Sequence, residues 1–305
     1  MKKHSGIKWL AVLVVMVYAV LCGNVFAAEK LTKIADGVYS YVDTKNSTPQ
    51  NSYGANAGII IGREGIVVID TLISAKEARR FIGDIRAISK KPIKYVINTH
   101  NHLDHTFGNS EFKKLGAVII SQVKDAEKMK KESEATLKNS RVYGLAEKDM
   151  KGTKIVYPEL TFTDRMEIDL GGQKVELIYT GSSHTEGSIM IYLPENKILF
   201  AGDILFTNYH PYIADGDIES WVKVLDYIMT IDVEKIIPGH GPISSKKDIE
   251  DMKNYLIAFD KKAKELAANS NDVAFISTEI KKALPSRAEL ESLIQSNIQM
   301  KYLKK

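Results

Sequence analysis

Between Thr99 and His105 the chain reads Thr-His-Asn-His-Leu-Asp-His, which packs four potential metal ligands into six residues. Imidazole and carboxylate are ligand types that Zn²⁺ takes, and a catalytic zinc keeps one position open for water. His100 and His102 alternate, so an extended backbone points both the same way. Asp104 and His105 come one turn onward, which lets them serve a second ion. Most of the other histidines fit this pattern. His184 lies in Tyr179–Ser188 after the apolar run Val175–Tyr179, and His240 lies in Ile236–Pro242. Asp203 follows the run Lys197–Phe200. Each is a ligand type just past a strand-like segment, with small residues beside it that let the backbone crowd a metal. Only His4 and His210 of the seven histidines fall outside.

Taken in order, the HxHxDH motif, TGSSHTEGS, AGD and PGHGP resemble the metallo-β-lactamase-fold hydrolases over roughly residues 33–245. The resemblance implies an α/β fold, the αβ/βα four-layer sandwich, with its metals at one edge where the two halves meet. It implies that His100, His102 and His184 hold one metal, that Asp104, His105 and His240 hold another, and that Asp203 bridges them. The cofactor expected is Zn²⁺, two per chain, with iron or manganese as alternatives. Two such ions, offset by Asp104, Asp203 and a bridging hydroxide, leave a charge of about +1, which favours an anionic small-molecule substrate. The expected reaction is attack by a metal-bound hydroxide on an ester, thioester, lactone or amide bond, with Asp104, the expected catalytic residue, or the metal-bound water itself managing the proton. Asp70 ends a hydrophobic strand and reads as a residue orienting a ligand, or else as a turn aspartate. His210 reads as a substrate contact or proton shuttle, or else as an exposed loop histidine.

Residues around Asp203 narrow the branch. Cysteine-dependent metallo-β-lactamases carry Cys at that position and a Lys three residues on, where this chain has Asp203 and Phe206. Acyl-homoserine lactonases tend to place a tyrosine at the Phe206 position. Glyoxalase II shares the bridging aspartate and a helical C-terminal region but is normally not exported. The segment Asp203–Asp217 and the helical tail look most similar to exported metallohydrolases associated with sulfur-oxidation or quinoprotein systems. β-Lactam hydrolysis is the first alternative, and an iron-dependent persulfide or sulfur redox enzyme the second. Among the iron enzymes, the diiron branch usually has Glu where His102 stands.

The elements that must position these ligands alternate between strand and helix. Val38–Val42, Ala57–Ile61, Ile66–Asp70, Ile93–Asn98 and Ala117–Ser121 read as strands from their β-branched and aromatic content. Ser74-Ala75-Lys76-Glu77 has the form of a capping box opening a helix whose inner face is Ala78, Phe81, Ile85 and Ile88. A second set of strands is expected at Leu160–Ile168, Lys174–Tyr179, Ile189–Leu193 and Lys197–Phe200, then a helix at Ile218–Met229. Thr44–Asn56 and Thr207–Asp217 read as pocket walls, and Asn139–Met150 as a mobile connection near the site. After Pro242 only helical patterns remain, at Lys246–Ala268, Asp272–Leu284 and Arg287–Tyr302. They predict a helical C-terminal extension, residues 246–305, that packs on a core domain of residues 28–245 and shapes the pocket or a homodimer contact.

The first 27 residues read as a signal peptide. Lys2, Lys3 and Lys8 precede the apolar run Trp9–Leu21, and Val25-Phe26-Ala27 has the A-x-A-like form of a cleavage site. A periplasmic or secreted protein with no stable membrane anchor is expected. Cys22, the one cysteine, would leave with that segment, so neither a disulfide nor a thiolate ligand is expected in the mature chain. No basic block interleaved with aromatics is present, which argues against a nucleic-acid partner.

Overall fold

The computed structural model describes residues 30–303. The expected signal peptide and Cys22 lie outside the described residues. The first sheet comprises β1 (Thr32–Ala35), β2 (Val38–Ser40), β3 (Gly58–Ile61), β4 (Ile66–Ile69), β5 (Ile93–Ile97), β6 (Val118–Gln122) and β7 (Leu160–Phe162), in that spatial order. The second comprises β8 (Arg165–Asp169), β9 (Lys174–Ile178), β10 (Met190–Leu193), β11 (Ile198–Phe206) and β12 (Lys235–His240). β1 to β4 form an antiparallel meander, and β4 to β7 run parallel. In the second sheet β8 to β11 are antiparallel, and β12 lies parallel to β11.

Period-two alternation sorts the apolar side chains into layers. Ile60, Val67, Ile69, Ile97 and Ile120 face inward and meet Val175, Leu177, Ile191, Ile198 and Phe200 of the second sheet. Their neighbours Ile59, Ile66, Val68, Val96 and Ile119 face outward, against Phe81 and Ile85 of α1 (Ala75–Ile88). The ligand loop supplies two short helices, α2 (Leu103–Thr106) and α3 (Asn109–Lys113), whose Phe112 joins this outer layer. α4 spans Val123–Lys138. Over the second sheet lie α5 (Ile218–Thr230), α6 (Lys246–Ala267), α7 (Val273–Ala283) and α8 (Leu293–Asn297). Trp221, Leu225, Met252, Phe259, Ile276 and Ile294 share one buried cluster there with Leu199 and Ile204 of β11. Each large side chain so buried contributes about 1.5–3 kcal/mol. The C-terminal helices therefore share their core with the sheet that carries Asp203. No helix among the described residues is long and apolar enough to cross a membrane.

Several expected boundaries shift, each for a local reason. Leu160–Ile168 is two strands, because the chain leaves the first sheet after Phe162 and enters the second at Arg165. The Asp203 strand runs on to Phe206 and β12 continues to His240, so both ligands lie inside strand pairing. In α1, Ser74 Oγ accepts from Glu77 N, but the Glu77 carboxylate pairs with Arg80 at 3.0 Å, and Ile88 is exposed. In the last stretch α8 begins only at Leu293, and Arg287–Leu290 instead runs alongside Asn208–His210. Asn139–Met150 is anchored by Leu145 and Met150, which are buried against Ile73 and Phe107.

Candidate metal centre

Six of the seven expected ligands are held at strand ends or in the loops leaving them, and Asp203 within β11. Asn98, at the end of β5, exchanges two side-chain hydrogen bonds with Asn109 at the start of α3, at 3.0 and 2.8 Å. This buried pair ties down both ends of the loop carrying His100, His102, Asp104 and His105. Thr99 O accepts from Ile189 N and so links the loop to the second sheet. Asp203 reaches the centre because Gly202 adopts φ +50° where β11 bulges against β12. Gly239 is required for another reason: a Cβ there would stand 1.9 Å from Asp203 Oδ1.

The side chains converge as two groups, His100 with His102, His184 and Asp203, and Asp104 with His105 and His240. Asp203 faces both. Its Oδ2 lies 3.7 Å from His100, 3.3 Å from His184 and 3.5 Å from His240, and its Oδ1 lies 3.2 Å from His105. Asp104 Oδ2 stands 3.6 Å from His105 Nε2 and 3.4 Å from His240 Nε2.

Each histidine has its other nitrogen engaged away from the centre. Thr99 Oγ1 gives its proton to Asp70 Oδ2 at 2.7 Å and so accepts from His100 Nδ1 at 3.0 Å. His105 Nδ1 donates to the same Asp70 oxygen at 2.8 Å. His184 Nδ1 donates to Tyr212 O at 2.9 Å, and His240 Nδ1 to Tyr53 O at 3.1 Å. His102 is reversed, its Nε2 meeting Asp215 Oδ2 at 2.9 Å. At His100, His102 and His184 these partners set the tautomer and leave a bare lone pair on each inward nitrogen. Two of them, His102 Nδ1 and His184 Nε2, then face each other at 2.8 Å. His100 Nε2, His105 Nε2 and Asp203 Oδ1 are buried with no hydrogen-bond partner. Unpartnered buried atoms cost about 1–3 kcal/mol apiece, and facing lone pairs repel. A cation within each group removes both penalties, so the residues fit a pair of divalent ions.

The two groups differ in charge. Burial, helped by neighbouring rings, holds His184 down at about 3 and His100 well below the usual histidine range, despite Asp203 nearby. Burial opposes charge on His105 and His240 as well. There Asp203 and Asp104 prevail, joined at His105 by Asp70, raising His105 well above its ordinary value and His240 to about 9.

Two candidate residues fare differently. Asp70 bears on both groups, through Thr99 and directly on His105. His210 does not join the centre. It is buried, its Nδ1 2.8 Å from Tyr255 Oη on α6, and burial followed by the Arg287 charge lowers its pKa to about 4. Its reading as a substrate contact or proton shuttle is corrected: it seats the loop on the helical layer. Sequence reasoning missed Thr99 and Asp215 as ligand supports, along with the carbonyls of Tyr53 and Tyr212. The signal available for Asp215 is the acidic Asp215-Gly216-Asp217 at the end of the Thr207–Asp217 loop. A carbonyl carries no signal in residue type.

The profile of the Metallo-beta-lactamase superfamily matches residues 52–240, which include every ligand described above. The chain belongs to this superfamily. It is 26% identical over 194 residues to the 2,4-dinitroanisole O-demethylase subunit alpha of Nocardioides sp., covering 63% of this chain and 54% of that protein. It is 26% identical to the linear primary-alkylsulfatase of Pseudomonas sp., over 62% of this chain and 42% of that protein. The chain thus spans about half the length of these two curated relatives. With the type 2 metallo-beta-lactamase of Bacteroides fragilis it shares 25% identity over 73% of this chain and 83% of that protein. Among solved structures, the metallo-beta-lactamase from Pontibacter korlensis superposes with a TM-score of 0.60 at 23% identity, over 75% of this chain and 98% of that one. That likeness supports the four-layer fold.

Proposed function

We propose that this protein is an exported dinuclear zinc-dependent hydrolase that cleaves an ester, thioester, lactone or amide bond in a small molecule. The observation that carries the reading is Asp203, within 3.7 Å of His100, His184, His105 and His240, so that it joins the two ligand groups. Divalent ions held there would supply Lewis acidity and a water acidified toward ~7. His100, His105 and His184 are closed off from solvent, whereas the His102 side chain keeps 16% of its surface exposed, so substrate approaches from the His102 and Asp104 side. Asp104, whose Oδ2 faces His105 and His240, is positioned to hold the proton taken from the nucleophile. Lys128, 3.3 Å from Asp215, brings a cation toward the His102 side and supports the preference for an anionic substrate. Export rests on the basic and apolar pattern of Met1–Ala27.

The relatives' names span an O-demethylase, an alkylsulfatase and β-lactamases, so the reaction at this centre is decided by its walls and not by the fold. β-Lactam hydrolysis is the second reading, favoured by the 83% coverage of the Bacteroides fragilis enzyme. Phe206 weighs against it: the ring stacks on His240 with centroids 5.0 Å apart and offers no cation for a carboxylate. A panel of esters, thioesters, lactones, an anilide, a persulfide, sulfate esters and nitrocefin, run with Zn²⁺, Mn²⁺ and Fe²⁺, tests the proposal. Zinc-dependent turnover of an ester, thioester, lactone or amide supports it. Activity confined to iron with a sulfur substrate would overturn it.

A further inference from the structure

The loop Thr207–Asp217 supplies two supports of the first ligand group, Tyr212 O for His184 and Asp215 for His102. A bond from Gly216 N to Ile213 O at 3.2 Å and one from Asp217 N to Ser183 O at 3.0 Å hold its far end, and the last helical stretch holds the rest. Asn297, on α8 and almost wholly buried, donates from Nδ2 to Pro211 O at 2.8 Å and accepts at Oδ1 from Ile213 N at 2.8 Å. Its amide therefore brackets Tyr212 on both sides. Lys301, one turn further on, donates to Gly216 O at 2.6 Å, next to Asp215. At the loop's start, Asn208 O accepts from Ala288 N at 2.9 Å and His210 N donates to Glu289 O at 3.0 Å.

We infer that Asn297 is a positioning residue for the first metal site: by fixing the Pro211–Ile213 backbone it aims the Tyr212 carbonyl that orients His184. Lys301 does the same, less directly, for Asp215 and His102. This inference rests on the dinuclear reading above, and it makes the C-terminal segment part of the centre's support. The second group is oriented by Asp70 and the Tyr53 carbonyl, and the C-terminal segment reaches it only through Glu289, which accepts from Asn46 N and Ser47 N at 3.1 and 3.0 Å, six or more residues before Tyr53.

Mature protein is stripped and titrated with Zn²⁺ against a chromophoric chelator, in the wild type and in Asn297→Leu. Two metals are expected in each, with one bound about 10–100-fold more weakly in the variant. In an Asp104→Ala background, where the first site is the one left intact, Asn297→Leu weakens the remaining metal. Lys281→Ala, which removes an exposed ion pair with Glu291 on the same layer, leaves both metals unchanged. Ile280→Val trims the buried core at α7 while leaving the Asn297 and Lys301 hydrogen bonds in place, and it also leaves both affinities unchanged, which separates positioning from simple destabilisation. If Asn297→Leu does not fold, Lys301→Met carries the same expectation. Wild-type affinities in both variants, or equal weakening of both metals, overturn the inference. A wild type that binds fewer than two metals sinks the dinuclear reading itself.

Discussion

The two halves of the metal centre use the same residue types but draw their support from different parts of the chain. His100, His102 and His184 form a group of three imidazoles whose only carboxylate is the shared Asp203. Burial keeps His100 and His184 neutral, and two of the three rings are oriented by the loop that α8 braces. Asp104, His105 and His240 carry a carboxylate of their own. Their outer partners are Asp70, at the end of β4, and the Tyr53 carbonyl. Ser52 and Tyr53 both adopt positive φ, +58° and +51°, a left-handed strain of about 1–3 kcal/mol per residue that turns this carbonyl toward His240. One half is thus braced through its loop by Asn297 on a distant helix, the other by the Asp70 carboxylate and the backbone turn at Tyr53. Asp70 is the exception, since through Thr99 it also reaches His100.

The largest effect should come where the halves cannot be separated. Asp203→Ala removes the carboxylate common to both, and turnover should fall on the order of 10³-fold or more, the scale of several kcal/mol of lost charge stabilisation. Metal analysis should show loss at both sites; retention of two tightly held metals would separate the halves. Gly239→Ala should follow closely, because its Cβ has no room beside Asp203 Oδ1. A forced shift of that kind costs about 1–3 kcal/mol, readable as a lower urea midpoint together with weakened metal binding.

A pair of supporting variants sharpens the contrast. Asp215→Asn should weaken one metal about 10–100-fold and leave the other as in the wild type, whereas Asp70→Asn should weaken both. The same response from the two variants would erase the distinction between the halves. The smallest effect is one of pH. His210 is held at about 4 in the folded chain against ~6.5 unfolded, so between those values the unfolded chain binds the extra proton. Stability should therefore fall as pH drops from about 6.5 toward 4, and His210→Gln should flatten that slope in urea unfolding. An unchanged slope would remove His210 from the anchoring of the loop.

The ligands were legible in the sequence because a metal demands particular side chains beside small residues, and that demand leaves a mark in residue types and spacing. His100, His102, Asp104, His105, His184, Asp203 and His240 all converge as their motifs implied. The four layers follow from the family resemblance, because β3 and β4 read Gly-Ile-Ile-Ile and Ile-Val-Val-Ile, apolar on both faces, and residue type alone does not say which face meets the second sheet. What escaped were the features that tertiary structure decides. The strand read across Leu160–Ile168 changes sheets midway, and nothing in its alternation shows the crossing. Asn297 and Asp215 act on backbone and rings far away in sequence. His210 beside Pro211 looked like a substrate contact, yet its neighbour in space is Tyr255, 45 residues on.

The most direct test of two sites joined through Asp203 is a metal count on the protein and on Asp104→Ala. We expect two zinc ions per chain in the wild type, one in the variant held by His100, His102 and His184, and sharply lower turnover with the far-ultraviolet circular dichroism unchanged. Two tightly bound ions and full activity in Asp104→Ala would contradict it.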